Sequence, residues 1–217
     1  MSAPRFRTLG ITIFLTAVPI LPITSLAQSD SKAFRSNYVV SVQDLKLEGK
    51  GRAAFDKGSR LLENGDAAAS LVYLVKAIAQ APEHYLAYYD LGVAHFRLGH
   101  TADAEQAFQK SIDLTRGAFA PPQFGMGALL CQKQQFVEAE TILQRALDLD
   151  TDSPIGKYYL GWAQFSGNHV LEAERSLQQA LFRDPNFPQA RRLLELIQRK
   201  LRARQDLEQA TIAIAKP

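Results

Sequence analysis

The sequence is poor in the residues that hold small domains together through covalent bonds or metals. Among its 217 residues there are four histidines and one cysteine, Cys131. A single cysteine cannot form a disulfide within the chain, and no zinc site can be built from cysteine spacing. His84, His95, His100 and His169 fit no HExxH or comparable ligand spacing. We therefore expect no metal site and no cofactor.

Catalytic motifs are missing as well. The sequence has no Gly-rich phosphate-binding loop and no G-x-S-x-G motif. Glu138, Glu140, Glu172 and Glu174 flank alanines, where a solvated helix face is expected. Because the pattern assembles no nucleophile, base and orienting group, we predict that the chain is not an enzyme.

The chain also lacks a strong excess of one charge. It has 25 basic and 22 acidic residues, but two of the basic ones, Arg5 and Arg7, lie in a segment that we expect to be removed. Without residues 1–27 the count is 23 basic against 22 acidic. Since no excess of positive charge remains to drive counterion release, the sequence does not indicate nucleic-acid binding.

Residues 1–27 have the order of a secretory signal peptide. Basic residues come first, an uncharged run over residues 8–26 follows, and Ser25 and Ala27 place small side chains at the cleavage positions. We predict cleavage before Gln28 and export to the periplasm or the exterior. The alternative is an uncleaved inner-membrane anchor over residues 8–26, since a membrane span needs about 20 residues. Two prolines in the run favour cleavage, because proline disturbs a helix.

A repeat of about 34 residues occupies most of the remaining chain. Glycine, two small residues and one larger apolar residue each recur at steps of 34, 35 and 34 residues. A glycine inside a helix costs about 1 kcal/mol relative to alanine. Its regular recurrence therefore indicates that the first helix of each pair approaches the second closely, while the larger residues fill the space between neighbouring pairs. The series are Gly58, Gly92, Gly127 and Gly161; Ser70, Ala104, Ala139 and Ala173; Ala77, Ser111, Ala146 and Ala180; and Leu74, Phe108, Leu143 and Leu177.

Residues 51–187 resemble four tandem tetratricopeptide repeats. The second unit carries the resemblance most clearly, through Tyr88, Leu91, Gly92, Ala104 and Phe108. The resemblance implies an all-α fold, a right-handed superhelix of about four helix pairs whose first helices line the concave side. Lys57, His95 and Gln164 depart from the family pattern without affecting this expectation. The units are placed at 51–84, 85–118, 120–153 and 154–187.

The array has a predicted flank on each side. Residues 28–50 are interpreted as a linker, with the alternative that residues 38–45 lie extended against the first repeat as a cap. Residues 188–207 combine an apolar stripe with a basic face, which predicts a capping helix. The basic face leaves open a surface for anionic lipid or an acidic partner. Residues 208–217 are predicted to be a flexible tail.

The resemblance also implies a partner-binding surface on the first helices. The places that the family directs to the concave side hold aromatic or small residues here, and the charged clamp for a peptide carboxylate is absent. Either these aromatic residues only pack, or they form an apolar groove for an extended peptide or a partner's helix. The predicted groove residues are Phe55, Tyr89, Phe96, Phe124, Tyr158, Trp162 and Phe165.

The sequence thus predicts an exported, non-enzymatic scaffold that binds a protein or peptide partner through aromatic contacts. The alternative is a structural or self-associating subunit whose groove is filled by its own segment or by a second copy. Membrane attachment is expected only if the N-terminal segment stays uncleaved.

Overall fold

The computed structural model describes residues 49–215, which form α-helices joined by short turns. The predicted signal peptide at 1–27, and the predicted linker up to residue 48, lie outside the described residues. Eight helices form four consecutive pairs and a ninth closes the array, which confirms the predicted all-α fold with a C-terminal capping helix. The helices are α1 (Gly49–Glu63), α2 (Ala67–Gln80), α3 (Tyr85–Arg97), α4 (Thr101–Leu114), α5 (Ala120–Gln132), α6 (Phe136–Leu149), α7 (Pro154–Ser166), α8 (Val170–Arg183) and α9 (Pro188–Ala215).

Each pair turns through one residue in the left-handed region. In the second pair this residue is Gly99, with a φ of 76°. Its N–H donates to the Phe96 carbonyl at 3.1 Å, and the next N–H, of His100, donates to the His95 carbonyl at 2.9 Å. This pair of bonds is the Schellman arrangement, which satisfies the last carbonyls of a helix and reverses the chain. The equivalent residues of the other pairs are Gly65, Gln134 and Asn168, with φ of 90°, 60° and 69°.

The repeated glycines lie where the two helices of a pair approach each other most closely. A Cβ built on Gly92 would come within 2.5 Å of Phe108 Cδ1, which a real side chain could not do. The far edge of the same ring faces Gly125 of the next pair, so Phe108 fills space within its own pair and between neighbouring pairs. The predicted close approach is therefore confirmed. Gly58 faces Leu74, Gly127 faces Leu143 and Gly161 faces Leu177 in the same way.

The closing helix α9 packs on the last pair only through its N-terminal half. Ala190 and Ile197 are fully buried in the largest core cluster, and Leu193, Leu194 and Leu201 pack against its edge. Residues 202–212 are exposed. None of the described helices combines the length and hydropathy needed to cross a membrane.

The predicted boundary between the capping helix and a flexible tail, at residues 207 and 208, is wrong. The helix continues without a break to Ala215. Residues 202–215 contain neither glycine nor proline, and strong helix formers dominate their first half. Arg204 also donates to Glu208 at 2.9 Å, an i,i+4 pair that supports the helix across the predicted boundary.

Candidate functional site

The first helices of the pairs lie side by side along one face of the array. Each of α1, α3 and α5 contacts the next first helix, and α7 contacts α9. The second helices pack mainly against the first helices that precede and follow them in the chain. This face is therefore the one that the family resemblance assigns to partner binding.

Most of the predicted groove residues are part of the core. Phe55, Tyr89, Phe124, Tyr158 and Phe165 have no more than 9% of their surface exposed. Side chains buried to this degree contribute apolar burial to folding and offer a partner little contact area. For these five residues the structure shows packing and not an open groove lining.

Three of these rings join one repeat to the next. The Phe55 ring packs on His84 at a centroid distance of 4.6 Å, and the Tyr158 ring packs on Phe187 at 5.0 Å. The Tyr89 ring packs edge-on against Phe119 at 5.7 Å. His84 and Phe119 occupy the N-cap positions of α3 and α5, and Phe187 immediately precedes α9. Such edge-to-face and tilted ring pairs contribute about 0.5–1.5 kcal/mol beyond area burial.

The contact between the third and fourth helix pairs uses a small residue in place of an aromatic one. The position equivalent to Phe119 holds Ser153, which caps α7 by accepting a hydrogen bond from the Gly156 N–H at 3.3 Å. The Phe124 ring then lies against Gly156 itself, where an added Cβ would be 2.5 Å from Cε1 of the ring. Position 156 therefore has to be glycine, because any larger residue would overlap the Phe124 ring.

Phe96 and Trp162 are the two predicted groove residues that keep a partly exposed side chain. Phe96 comes from α3 and Trp162 from α7, and both pack against the edge of the cluster that contains Ala128 and Cys131 of α5. The Trp162 ring also lies 6.3 Å from that of Tyr159. The first-helix face thus presents two large aromatic side chains on either side of small residues.

Polar residues on these helices are engaged within the fold. The Ser59 hydroxyl of α1 donates to the Asp90 carboxylate of α3, and both residues are buried. Arg97 reaches from the end of α3 to the Leu62 carbonyl of α1 at 2.5 Å. These contacts fix α3 on α1, and the repeat pattern carries no signal for them because they join different repeats.

Cys131 is buried and forms no disulfide. Burial, and secondarily the charge of Glu140, raises the pKa of the Cys131 thiol to about 12. A thiol is nucleophilic only as the thiolate. Cys131 is therefore a packing residue in the folded state.

The histidines lie at helix ends. His84 Nδ1 accepts a hydrogen bond from the Ala87 N–H at 3.1 Å and so caps α3. His100 and His169 occupy the equivalent positions before α4 and α8. His95, near the end of α3, lies with its Nδ1 3.3 Å from that of His100 and 3.9 Å from Asp103 Oδ2. Burial and the nearby His100 lower the pKa of His95, against an opposing effect of Asp103.

A concave region lies between α6, α7 and α8. It has a volume of about 360 Å³, and its lining includes Asp148, Lys157, Glu172 and Arg175. Ligand pockets are usually lined by apolar and aromatic side chains with few polar groups. This mixed-charge groove therefore has less of the character of a binding site than the first-helix face.

Stacked helix pairs with a 34-residue period define a helical-repeat solenoid, a class that presents extended binding surfaces. The chain belongs to the tetratricopeptide repeat family, whose sequence profiles match residues 55–121 and 130–197. The predicted family and superhelical fold are thereby confirmed. Membership supports a protein–protein interaction scaffold.

Among curated proteins, the chain is similar to the tetratricopeptide repeat and J domain-containing co-chaperone DNJ1 of Fusarium oxysporum f. sp. lycopersici. The two are 25% identical over 174 residues, which is 72% of this chain and 33% of the relative. The chain thus spans about a third of that protein's length.

Solved structures resemble the chain in fold. MamA (residues 41 to the end) from Desulfovibrio magneticus RS-1 has a TM-score of 0.60 and 21% identity, covering 77% of this chain and 95% of that one. YrrB, described as a tetratricopeptide repeat protein with an unusual peptide-binding site, has a TM-score of 0.51 and 17% identity, covering 70% and 83%. The first tetratricopeptide repeat domain of human RPAP3 has a TM-score of 0.53 and 20% identity, covering 58% of this chain and 98% of that one.

Proposed function

We propose that this protein is an exported, non-enzymatic scaffold that binds a protein or peptide partner through the first-helix face around Phe96 and Trp162. The observation that carries the proposal is the partial exposure of these two aromatic side chains on a face where the other predicted groove aromatics are buried. Large aromatic residues in such positions are the usual energetic centres of protein interfaces.

The chemistry of this face favours an apolar ligand segment. Asp90 and Arg97 are already engaged with Ser59 and with the Leu62 carbonyl. Recognition should therefore depend on burial of apolar surface, with an extended peptide or one face of a partner's helix against Trp162. The unusual peptide-binding site of YrrB and the co-chaperone role in the name of DNJ1 belong to those proteins. They support the proposal that this chain also takes a polypeptide ligand.

The test is a partner captured from the native cell envelope, followed by affinity measurements on variants. Trp162→Ala should weaken binding at least about thirtyfold, because truncating a central aromatic residue costs about 2 kcal/mol and 1.4 kcal/mol is tenfold. Phe182→Ala is the matched control, since Phe182 is an aromatic residue on α8 with 81% of its surface exposed. Circular dichroism establishes that both variants fold.

The basic part of α9 provides the competing surface. If binding used it, Arg199→Ala combined with Lys200→Ala would be the damaging change, and added salt would weaken binding strongly. Under our proposal, salt has little effect and the double variant binds nearly as well as the wild type. Loss of binding in that variant, with Trp162→Ala folded and unaffected, would reject the proposal for the first-helix face.

Export is the second part of the proposal and rests on the order of residues 1–27. Mass spectrometry of the protein from its native host should give a mature N-terminus at Gln28 or within a few residues of it. Peptides from residues 8–26 in the mature protein would support the membrane-anchored alternative instead.

A self-associating subunit is the second candidate function. It is favoured by the C-terminal half of α9, where Leu207 and Ile212 have 69% and 66% of their surface exposed. A second copy could cover these residues. Light scattering and the hydrodynamic radius of the purified protein separate the two functions, since an obligate dimer or a compact closed monomer supports the subunit and an extended monomer supports the open scaffold.

A further inference from the structure

The turn of the second helix pair brings two imidazoles together. In the Schellman arrangement, the residue after the left-handed position returns over the last turn of the helix and contacts the residue five places before it. Around Gly99 these residues are His100 and His95, joined through their backbones at 2.9 Å. This contact is commonly hydrophobic in proteins. Here it places two nitrogen ligands side by side.

A carboxylate completes the group from the first turn of α4. Asp103 Oδ2 lies 3.9 Å from His95 Nδ1. The possible ligand atoms of His95, His100 and Asp103 all lie within 4.8 Å of one another. The three residues come from the end of one helix, the cap of the next and its first turn, so the fold of the turn holds them together.

The other turns of the array lack this combination. The pairs equivalent to His95 and His100 are Leu61 with Asp66, Leu130 with Gln135, and Gln164 with His169. None of these pairs offers two imidazoles. The group therefore does not follow from the repeat itself, and its residue types are specific to the second unit.

We propose that His95, His100 and Asp103 form a binding site for a divalent transition-metal ion of the zinc type. Zn–N bonds of about 2.0–2.1 Å in a tetrahedral site place two ligand nitrogens about 3.3–3.4 Å apart. The two Nδ1 atoms are 3.3 Å apart, which matches this spacing. The Asp103 carboxylate has to move closer by a rotamer change, and its 61% side-chain exposure leaves it room to do so.

The ligand set identifies the class of ion. Imidazole nitrogen suits zinc, copper, nickel and iron, whereas magnesium and calcium take oxygen ligands. Three protein ligands on an exposed turn leave further coordination positions to water or to a group from a partner. A bound ion would connect the end of α3 to the start of α4 and so stabilise the second helix pair.

The experiment uses the full chain, purified without a polyhistidine tag and freed of metal with a chelator. Zinc chloride is titrated by calorimetry, and the thermal unfolding midpoint is followed with and without zinc. We expect saturable binding of one ion per chain and a higher midpoint with zinc, because a ligand that binds only the folded state stabilises it. Magnesium chloride should have neither effect. Cobalt chloride in place of zinc should give the visible absorption of a nitrogen- and oxygen-ligated ion.

Variants assign the binding to these residues. His95→Gln and His100→Gln should each weaken zinc binding at least about tenfold, since even residues beyond the direct ligands cost about 10–100-fold. Asp103→Asn should weaken it by less, because asparagine keeps a side-chain oxygen in the place of the carboxylate. His100 is exposed and its side chain makes no cap hydrogen bond, so its replacement leaves the fold intact. His169→Gln is the matched control, because His169 is an exposed histidine before α8, paired with Glu140 at 3.0 Å.

Three results would overturn the proposal. One is the absence of saturable zinc binding to the wild-type chain below about millimolar concentration, which is far weaker than binding at structural zinc sites. Another is equal zinc affinity of His100→Gln and the wild type. Either of these would mean that the two imidazoles are only hydrogen-bonded to each other. The third is a loss in His169→Gln as large as in His100→Gln, which would mean that zinc binding is not specific to the turn of the second helix pair.

Discussion

Gly127 of α5 lies directly on the side chain of Leu143 of α6. A Cβ on Gly127 would be 2.5 Å from Leu143 Cδ2, and Leu143 is fully buried. The side chain of Leu143 therefore occupies the space that any residue larger than glycine would need at position 127.

Replacing Gly127 with leucine should overpack the third helix pair. We expect Gly127→Leu to lower the free energy of unfolding by about 1–3 kcal/mol or more, as measured by urea denaturation. Ala79→Leu, at an exposed position of α2, is the control and should change it by less than about 0.5 kcal/mol. A Gly127→Leu protein as stable as the wild type would show that α5 and α6 pack differently.

The two halves of α9 should differ in their contribution to stability. Ile197 is fully buried, so Ile197→Ala should cost about 2–5 kcal/mol of unfolding free energy. Leu207 is 69% exposed, and Leu207→Ala should change stability by less than about 0.5 kcal/mol. Chemical denaturation of both variants measures the difference. Similar losses in the two variants would contradict the packing of α9.

Cys131 should resist alkylation in the folded protein. With its pKa raised from 9.0 to about 12, the fraction of thiolate at pH 9 falls to about a thousandth, whereas half of an unfolded thiol is ionised. Iodoacetamide labelling followed by mass spectrometry should therefore be slow in buffer and fast in concentrated urea. Cys131→Ser controls for labelling elsewhere. Native labelling at a rate within tenfold of that in urea would show that the thiol is accessible.

Gln134 should be replaceable by glycine with a gain in stability. Its φ of 60° lies in the left-handed region, which costs a residue with a Cβ about 1–2 kcal/mol. Removing this strain stabilises the folded state, but glycine also gives the unfolded chain more conformational freedom, which offsets about 0.4–1 kcal/mol of the stabilisation. We expect a net increase of about 0.5–1 kcal/mol in the free energy of unfolding, measured by thermal or urea denaturation. Gln132→Gly, at the last residue of α5, should instead destabilise.

The helix pairing could be predicted because the residues at the helix contacts recur at a fixed period of about 34 residues. Gly92 and Phe108 are complementary in size, and the same complement recurs in every unit, so the residues alone specify which helices touch. The extension of α9 could not be predicted from the terminal position of residues 208–217. The helix propensity of the sequence around Arg204 and Glu208 is the better guide there.

The burial of most of the predicted groove aromatics could not be predicted, for a physical reason. The resemblance identifies the helix that carries Tyr158 but not what the ring meets in the next unit. A signal was present, since His84, Phe119, Ser153 and Phe187 recur at steps of 35, 34 and 34 residues. The cluster of His95 and His100 escapes a search for ligand spacing because its residues are five apart across a reversal of the chain, not four apart on one helix.

The ring contacts between units bear on how cooperatively the array unfolds. A solenoid behaves as a one-dimensional row of units, each stabilised by its nearest neighbours. The contact of Tyr158 with Phe187 is the last link in this row, so its loss should weaken the attachment of α9 and leave the four pairs folded. The contact of Phe124 with Gly156 is an internal link. A defect there should divide the row into two blocks that melt at different temperatures.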